Sequence, residues 1–387
     1  MRLAISLGLT QTIAWASSYY LPAVLARTMA DELGYTVSTV YAAFSLALIV
    51  AALTVPLAGK CVDKWGGKRV LVASNIWFAL GLIFLSQAQS MLSLFGGWAF
   101  LGFAMGAGLY DMAFATVVRS RGQAAPIIIV GITLLAGFAS TVGWSVTHYL
   151  LSNFGWRQAL SVWGGIHIFL ALPINLSLVL PMQADSARTE TDSPHVRKEK
   201  SISVMLTLAT SFACFGFAAG AMAGHMPALL QLSGVGIAAS MLASAIFGPA
   251  QVSARLIHLF ILRKFHPIST ALLATLIMPL GVLALALLGP VVPLAVGISH
   301  GFGNGIMSII KGTLPLSILG EKGYGGRQGI LFLPAGVVQA LSPFLFSKCI
   351  DALGKEALYV YVAAIWIAAL LMLYLKWLII TAQAQRA

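Results

Sequence analysis

Long apolar runs separated by short polar breaks organise the whole chain. A helix needs about 20 apolar residues to cross roughly 30 Å of hydrocarbon, and twelve such runs are present. In the first half they cover 3 to 26, 37 to 59, 70 to 87, 92 to 117, 126 to 150 and 157 to 181. In the second half they cover 203 to 227, 238 to 262, 268 to 288, 292 to 313, 329 to 347 and 357 to 380. The pattern predicts an all-α membrane protein with twelve transmembrane helices. The first run begins after Arg2 but contains Gln11, Trp15, Tyr19 and Tyr20, and is too long for a leader's apolar core, so it reads as a span.

The one long polar stretch, about 183 to 202, reads as a linker between two bundles of six helices. The domains predicted are therefore 1–182, the linker 183–202, and 203–387. The halves repeat at an offset of about 200 residues, which points to two pseudo-equivalent bundles and to alternating access around a site near the midplane. Asp111 and Lys311 are 200 apart and so are expected at equivalent places.

Composition agrees with the pattern. The chain is 59% hydrophobic and 9% charged, against about 25% charged in soluble domains, and its mean hydropathy is +0.92. The excess of 23 Lys and Arg over 11 Asp and Glu needs no nucleic acid, because 18 of the 23 basic groups fall in segments that are cytoplasmic if the amino terminus is inside. By the positive-inside rule both termini are then cytoplasmic, in a bacterial-type inner membrane. Cys61, Cys214 and Cys349 are far apart and suggest neither disulfide nor metal. No cofactor is expected. There is no nucleotide loop, no HExxH and no clustered His/Asp ligand set, and no GxSxG nucleophile elbow is expected, so neither ATP-driven transport nor a membrane enzyme is expected.

After the second span the chain reads Gly59-Lys-Cys-Val-Asp63-Lys64-Trp-Gly66-Gly67-Lys68-Arg69. Here Gly59 ends a helix, Asp63 can accept from basic groups or from a helix N-terminus, and Lys68 and Arg69 mark the cytoplasmic face. The segment resembles the G-x-x-x-D-[RK]-x-G-[RK]-[RK] loop of the major facilitator superfamily. The resemblance implies twelve helices in two halves and a loop, Gly59, Asp63, Lys64, Gly66, Lys68 and Arg69, that holds the cytoplasmic gate. The chain departs from the family's drug/proton antiporters. Trp98 replaces their arginine four before Gly102, and Gly131, Gly137 and Gly143 of span five have no proline beside them.

A charge inside a bilayer costs at least about 2.5 to 3.5 kcal/mol on insertion scales, so intramembrane ionisable groups are functional candidates. In span eight Ser244, Gly248, Gln251, Arg255 and His258 share one helical face. Arg255 offers a planar fork suited to a carboxylate, although snorkelling or a backbone carbonyl would also account for it. The Gln251-x-x-x-Arg255 spacing resembles the Asp-x-x-x-Arg of monocarboxylate transporters, with Gln in place of Asp. Oxalate/formate exchangers are a related branch.

Span ten places His300, Asn304, Ser308 and Lys311 on one face. His300 is a candidate for proton coupling or for packing, and Lys311 for the gate or for snorkelling. Asp111, on a small-residue face of span four, is a gate or proton-carrier candidate, with an ion pair to Lys311 or Arg255 as the gating form. Gln11, Trp15 and Tyr19 share a face of span one. Because the first, fourth, seventh and tenth spans line the cavity in this superfamily, the resemblance implies that they contact substrate. Gly216, Gly220 and Gly224 read as a packing seam.

These features predict a secondary active transporter that moves a small organic anion, a carboxylate, by proton symport or exchange, working as a monomer. Efflux of a toxic compound and uptake of a vitamin-like aromatic such as a flavin remain open with the same fold. A non-transporting sensor is the alternative of another class.

Overall fold

The computed structural model describes residues 2–180, 198–321 and 323–384, which are helical almost throughout, with no strand among them. Most of the polar linker predicted at 183–202 lies outside the described residues, as do Lys322 and Arg386. Eight helical stretches are long and apolar enough to cross a membrane. Of these, Met91–Leu176 contains the predicted spans four to six, and Tyr324–Thr381 contains spans eleven and twelve. The first span is missing from the eight because it is broken into Arg2–Ala16 and Pro22–Leu33, each too short to cross alone.

Helix ends follow local chemistry. Thr36 accepts from the Thr39 N–H at the start of Val37–Trp65, and Ser90 and Ser93 form a reciprocal capping box before Met91–Gly108. Gly66 separates Val37–Trp65 from Gly67–Ser86 with φ of 87°, a conformation that costs a side-chain-bearing residue its usual backbone preference. His266 caps Pro267–Ile277, its Nδ1 accepting from the Ile268 N–H at 3.2 Å.

The chain divides into two compact units, one of Met1–Arg188 with Leu319–Leu333, the other of Thr189–Ile318 with Pro334–Ala387. In the first unit Gly102 and Gly106 bring span four against the backbone of span two at Ala47 and Ala51. In the second unit Gly297 and Gly301 bring span ten against span eight at Ala243 and Phe247, and Gly305 extends the seam to Gln251. A Cβ at Gly102 or Gly297 would fall well inside contact distance of a carbonyl oxygen, so each pair packs backbone on backbone. Gly216 and Gly220 likewise face Ala335, Gln339 and Ser342 of span eleven.

These seams give the register of the repeat directly. Gly297 stands 195 after Gly102, and Ala243 stands 196 after Ala47. Lys311 therefore corresponds to Thr116, and Asp111 to Ile306. The equivalence expected from the spacing of 200 is corrected by this shift of four to five residues, more than one helical turn.

The first unit is also held by a polar clasp. Glu32 accepts from Trp156 Nε1 at 2.6 Å and from Arg157 Nε at 2.9 Å, while Arg157 Nη1 donates to the Ser86 carbonyl at 2.7 Å. The guanidinium also lies over the Trp156 ring, 4.2 Å from its centroid.

Gly102→Val is expected to lower thermal stability in detergent by about 1 to 3 kcal/mol through overpacking, read as an earlier loss of the monodisperse peak on heating. A second expectation concerns pH. Burial of the His266 ring, and then the Lys376 charge, lower its pKa from the ordinary value. The neutral ring that accepts from Ile268 is the stabilised form. Its contribution is full above the ordinary value, about 6.5, and is lost as pH falls towards the lowered value. Acidifying from pH 7.5 to 5.5 should therefore lower the protection factors, taken against the intrinsic exchange rate at each pH, of the amides at the start of Pro267–Ile277, and His266→Asn, a cap that does not titrate there, should flatten that response.

Candidate functional site

In the first unit the second half of span four starts after a break. Leu109 is extended, and the N–H groups of Met112 and Ala113 turn to its carbonyl, leaving the Gly108 carbonyl without its intrahelical donor. Gln11 of span one supplies the missing bond, its Nε2 donating to Gly108 O at 2.7 Å. A carbonyl can only accept, so the Gln11 amide orientation is fixed. Its Oε1 is buried without a partner, and the side chain is 1% exposed.

Trp15, one turn further on, packs against Tyr19, Tyr20 and Tyr110, with ring centroids 5.2, 6.4 and 4.9 Å away. Its Nε1 is also buried without a partner. Tyr19 continues the cluster to Phe44, 5.7 Å away.

Asp111 lies in the first turn of Tyr110–Arg121, where the exposed N–H groups of a helix start favour a carboxylate. It is also within electrostatic reach of Tyr324, which shares a side-chain hydrogen bond with Gln328. The loop after span two faces the same segment. Asp63 accepts from the Gly325 N–H at 3.0 Å through Oδ1 and from the Gly326 N–H at 2.7 Å through Oδ2. Its carboxylate thus caps the first turn of Tyr324–Leu353 from outside that helix.

Gly59 packs directly on the Gly325 carbonyl, leaving no room for a Cβ, and Arg119 donates to the Asp63 carbonyl. Lys64 lies over the Trp65 ring, 5.6 Å from its centroid, Lys68 is half-buried and Arg69 is exposed. The loop's acidic member therefore does the capping, and of its basic members Lys64 and Arg69 stand at the surface.

In the second unit Arg255 is 5% exposed. Its Nη2 donates to Gln251 Oε1 at 3.1 Å and its Nε to Ser308 Oγ at 3.2 Å. Its Nη1 is buried without a partner, and no carboxylate pairs with it among the described residues. His258, three residues on, also has a buried, unpartnered Nδ1. One face of span eight thus presents two unused nitrogens, with the guanidinium aligned by neutral oxygens alone. Asn304 is half-buried one turn before Ser308. Lys311 lies over the Phe215 ring, 5.7 Å from its centroid.

His300 is packed in. Its ring stacks on Phe247 at 5.3 Å, and its Nδ1 lies 2.9 Å from the Tyr361 hydroxyl, which donates on to the Met278 carbonyl. Because the hydroxyl proton is committed to Met278, the His300 Nδ1–H is the donor in that pair. Gly297-Ile-Ser299-His300-Gly301 matches the nucleophile-elbow pattern G-x-S-x-G, but it lies inside the continuous helix Pro293–Leu319. Ser299 there donates to the Met278 carbonyl and accepts from the Gly281 N–H. A serine committed in this way, away from any strand-to-helix turn, ties spans nine and ten and is no nucleophile.

Sequence reasoning did not single out His167. It stacks on Phe78 at 4.6 Å and joins Ser17, 2.8 Å from Nε2, to Asn75, 3.0 Å from Nδ1. The available signal was three polar residues in three otherwise apolar spans, each of which needs a partner in hydrocarbon.

The sequence matches the family model of the Major Facilitator Superfamily over residues 7–321, and the chain belongs to that family. It is 30% identical to mouse (Mus musculus) monocarboxylate transporter 11 over 129 residues, 33% of this chain and 28% of that protein. It is 27% identical to a multidrug resistance protein B homolog of Mycobacterium tuberculosis (strain CDC 1551 / Oshkosh) over 231 residues, 57% of this chain and 40% of that protein. The chain thus spans less than half the length of these curated relatives.

Among solved structures it resembles the superfamily transporter FucP in its outward conformation, with a TM-score of 0.72 at 14% identity over 95% of this chain and 97% of that one. It also resembles the human organic anion transporter MFSD10, with a TM-score of 0.71 at 13% identity over 97% and 99%. The protein is a multi-pass membrane protein with the twelve-helix fold of the superfamily and a likeness to its monocarboxylate branch.

Asp63→Asn keeps one acceptor and loses the charge. Hydrogen bonds to a charged group contribute about 1.5 to 3 kcal/mol. Amide exchange across 323–330 is therefore expected to rise at least about tenfold, measured by mass spectrometry, while exchange in Met91–Gly108 stays unchanged.

Proposed function

We propose that this transporter moves a small organic anion, a carboxylate, by alternating access, driven by proton symport or exchange. The observation that carries the reading is Arg255, 95% buried within span eight, with one guanidinium nitrogen unpartnered and no carboxylate beside it. A charge desolvated to this degree is costly unless an anion completes it. Gln251 and Ser308 leave one edge of the fork unused, which suits a carboxylate. His258, three residues on along the same helix, also has a buried nitrogen without a partner. The likeness to a monocarboxylate transporter and to an organic anion transporter agrees with this substrate class.

Gln251, Asn304, Gln11, Trp15 and Tyr19 are assigned to orient the substrate. Asp111 is assigned to coupling or to the gate, because a carboxylate at a helix start beside Tyr324 can change partner or proton. Lys311 is assigned to the gate. The bond to Tyr361 and the stack on Phe247 favour a packing role for His300 over proton transfer. The loop from Gly59 to Arg69 is assigned as the gating loop, with Asp63 as its latch. The distribution of basic residues supports an inner-membrane protein with both termini in the cytoplasm, working as a monomer.

Arg255→Lys is expected to express and fold but to lose more than about 90% of carboxylate uptake in proteoliposomes, since one ammonium cannot keep the Gln251 and Ser308 bonds and also present a planar edge to a carboxylate. Uptake equal to the wild type would remove Arg255 from the site.

A further inference from the structure

We propose that Gln11 and Trp15 form a subsite for a hydroxyl group carried by a flat, ring-containing substrate. The proposal rests on the organic-anion reading above for its substrate class, and the subsite itself is built within the first unit alone. The two residues lie one helical turn apart on the same face, so their side chains start about 5 to 6 Å from each other.

Each presents one buried polar atom with nothing to bond. Gln11 Oε1 can only accept, because its Nε2 is spent on the Gly108 carbonyl; Trp15 Nε1–H can only donate. Buried polar atoms without partners are rare in native structures, and two of opposite character one helical turn apart define the missing group. It must donate and accept at once. A carboxylate cannot donate to Gln11, and an ammonium cannot accept from Trp15. A hydroxyl does both with a single atom.

The walls give the rest of the shape. Trp15 is ringed by Tyr19, Tyr20 and Tyr110, the last only 4.9 Å away and tilted at 46°. Aromatic faces of this kind receive a planar body by offset stacking. The break in span four at Leu109 keeps Gln11 in place, because the freed Gly108 carbonyl fixes which way the amide points.

The test uses matched acids that differ by one hydroxyl, 4-hydroxybenzoate and benzoate, with the neutral pair 4-hydroxybenzamide and benzamide alongside. Binding to the purified full-length protein is measured by calorimetry. A net hydrogen bond of about 0.5 to 1.5 kcal/mol corresponds to roughly two- to tenfold in affinity, and two such bonds should make the hydroxylated member of a pair about tenfold the tighter. Trp15→Phe keeps an aromatic ring and removes the N–H, and should reduce that preference to about threefold or less; the readout is the affinity ratio within each pair, which a loss of stacking common to both members does not move. Gln11→Leu also loses the Gly108 bond, so Trp15→Phe is the deciding variant.

Equal binding of the two members in the wild type, or a full preference retained by Trp15→Phe, overturns the subsite and leaves the buried atoms to a water. Binding of none of the four compounds overturns it as well. If the neutral pair shows the preference and its loss in Trp15→Phe while neither acid binds, the subsite stands and the organic-anion reading fails.

Discussion

Hydrocarbon offers no hydrogen bonds, and that constraint governs this protein more than any single contact. A soluble protein can break a helix and let water take the freed groups. Here each break has to be met by a side chain. The Gly108 carbonyl released at Leu109 is taken by Gln11, and at the interruption of span one the Ser18 hydroxyl donates to the Ala14 carbonyl while the Ser17 hydroxyl pairs with His167. The same rule explains Ser299, which bonds two backbone groups at the start of span nine's second half. Polar residues in these spans thus fall into two kinds, those that repair the backbone and those that still have capacity left. Arg255, His258, Gln11 and Trp15 belong to the second kind, and Gln11 belongs to both.

The number of spans and the family loop after span two were legible because each leaves a local mark: a run of apolar residues, or a spaced set of glycine and aspartate. The face of span eight was legible from a period of 3.6 residues, and Gln251, Arg255 and Ser308 do meet there. The partners of these groups were not legible. Nothing near His300 in sequence announces Tyr361, which is 61 residues away, and Asp63 meets glycines more than 260 residues along the chain. The broken form of span one was hidden as well, since hydropathy measures how apolar a run is and not whether its backbone is continuous. Register was hidden for a related reason. Hydrophobic limits drift by several residues, whereas a glycine pressed on a carbonyl fixes position to one residue, and the repeat moved from about 200 to 195 or 196.

Those glycine seams bear on mechanics. Where two helices touch through their backbones, no side chain lies between them that could change rotamer and let them slide. Spans two and four, and equally spans eight and ten, are each joined into one stiff girder. Arg255 and Ser308, one on each helix of such a pair, then keep their spacing whatever the rest of the molecule does. A pair mounted on a girder moves with it as a unit, and compliance is left to the interrupted helices, at 17 to 21 and at Leu109.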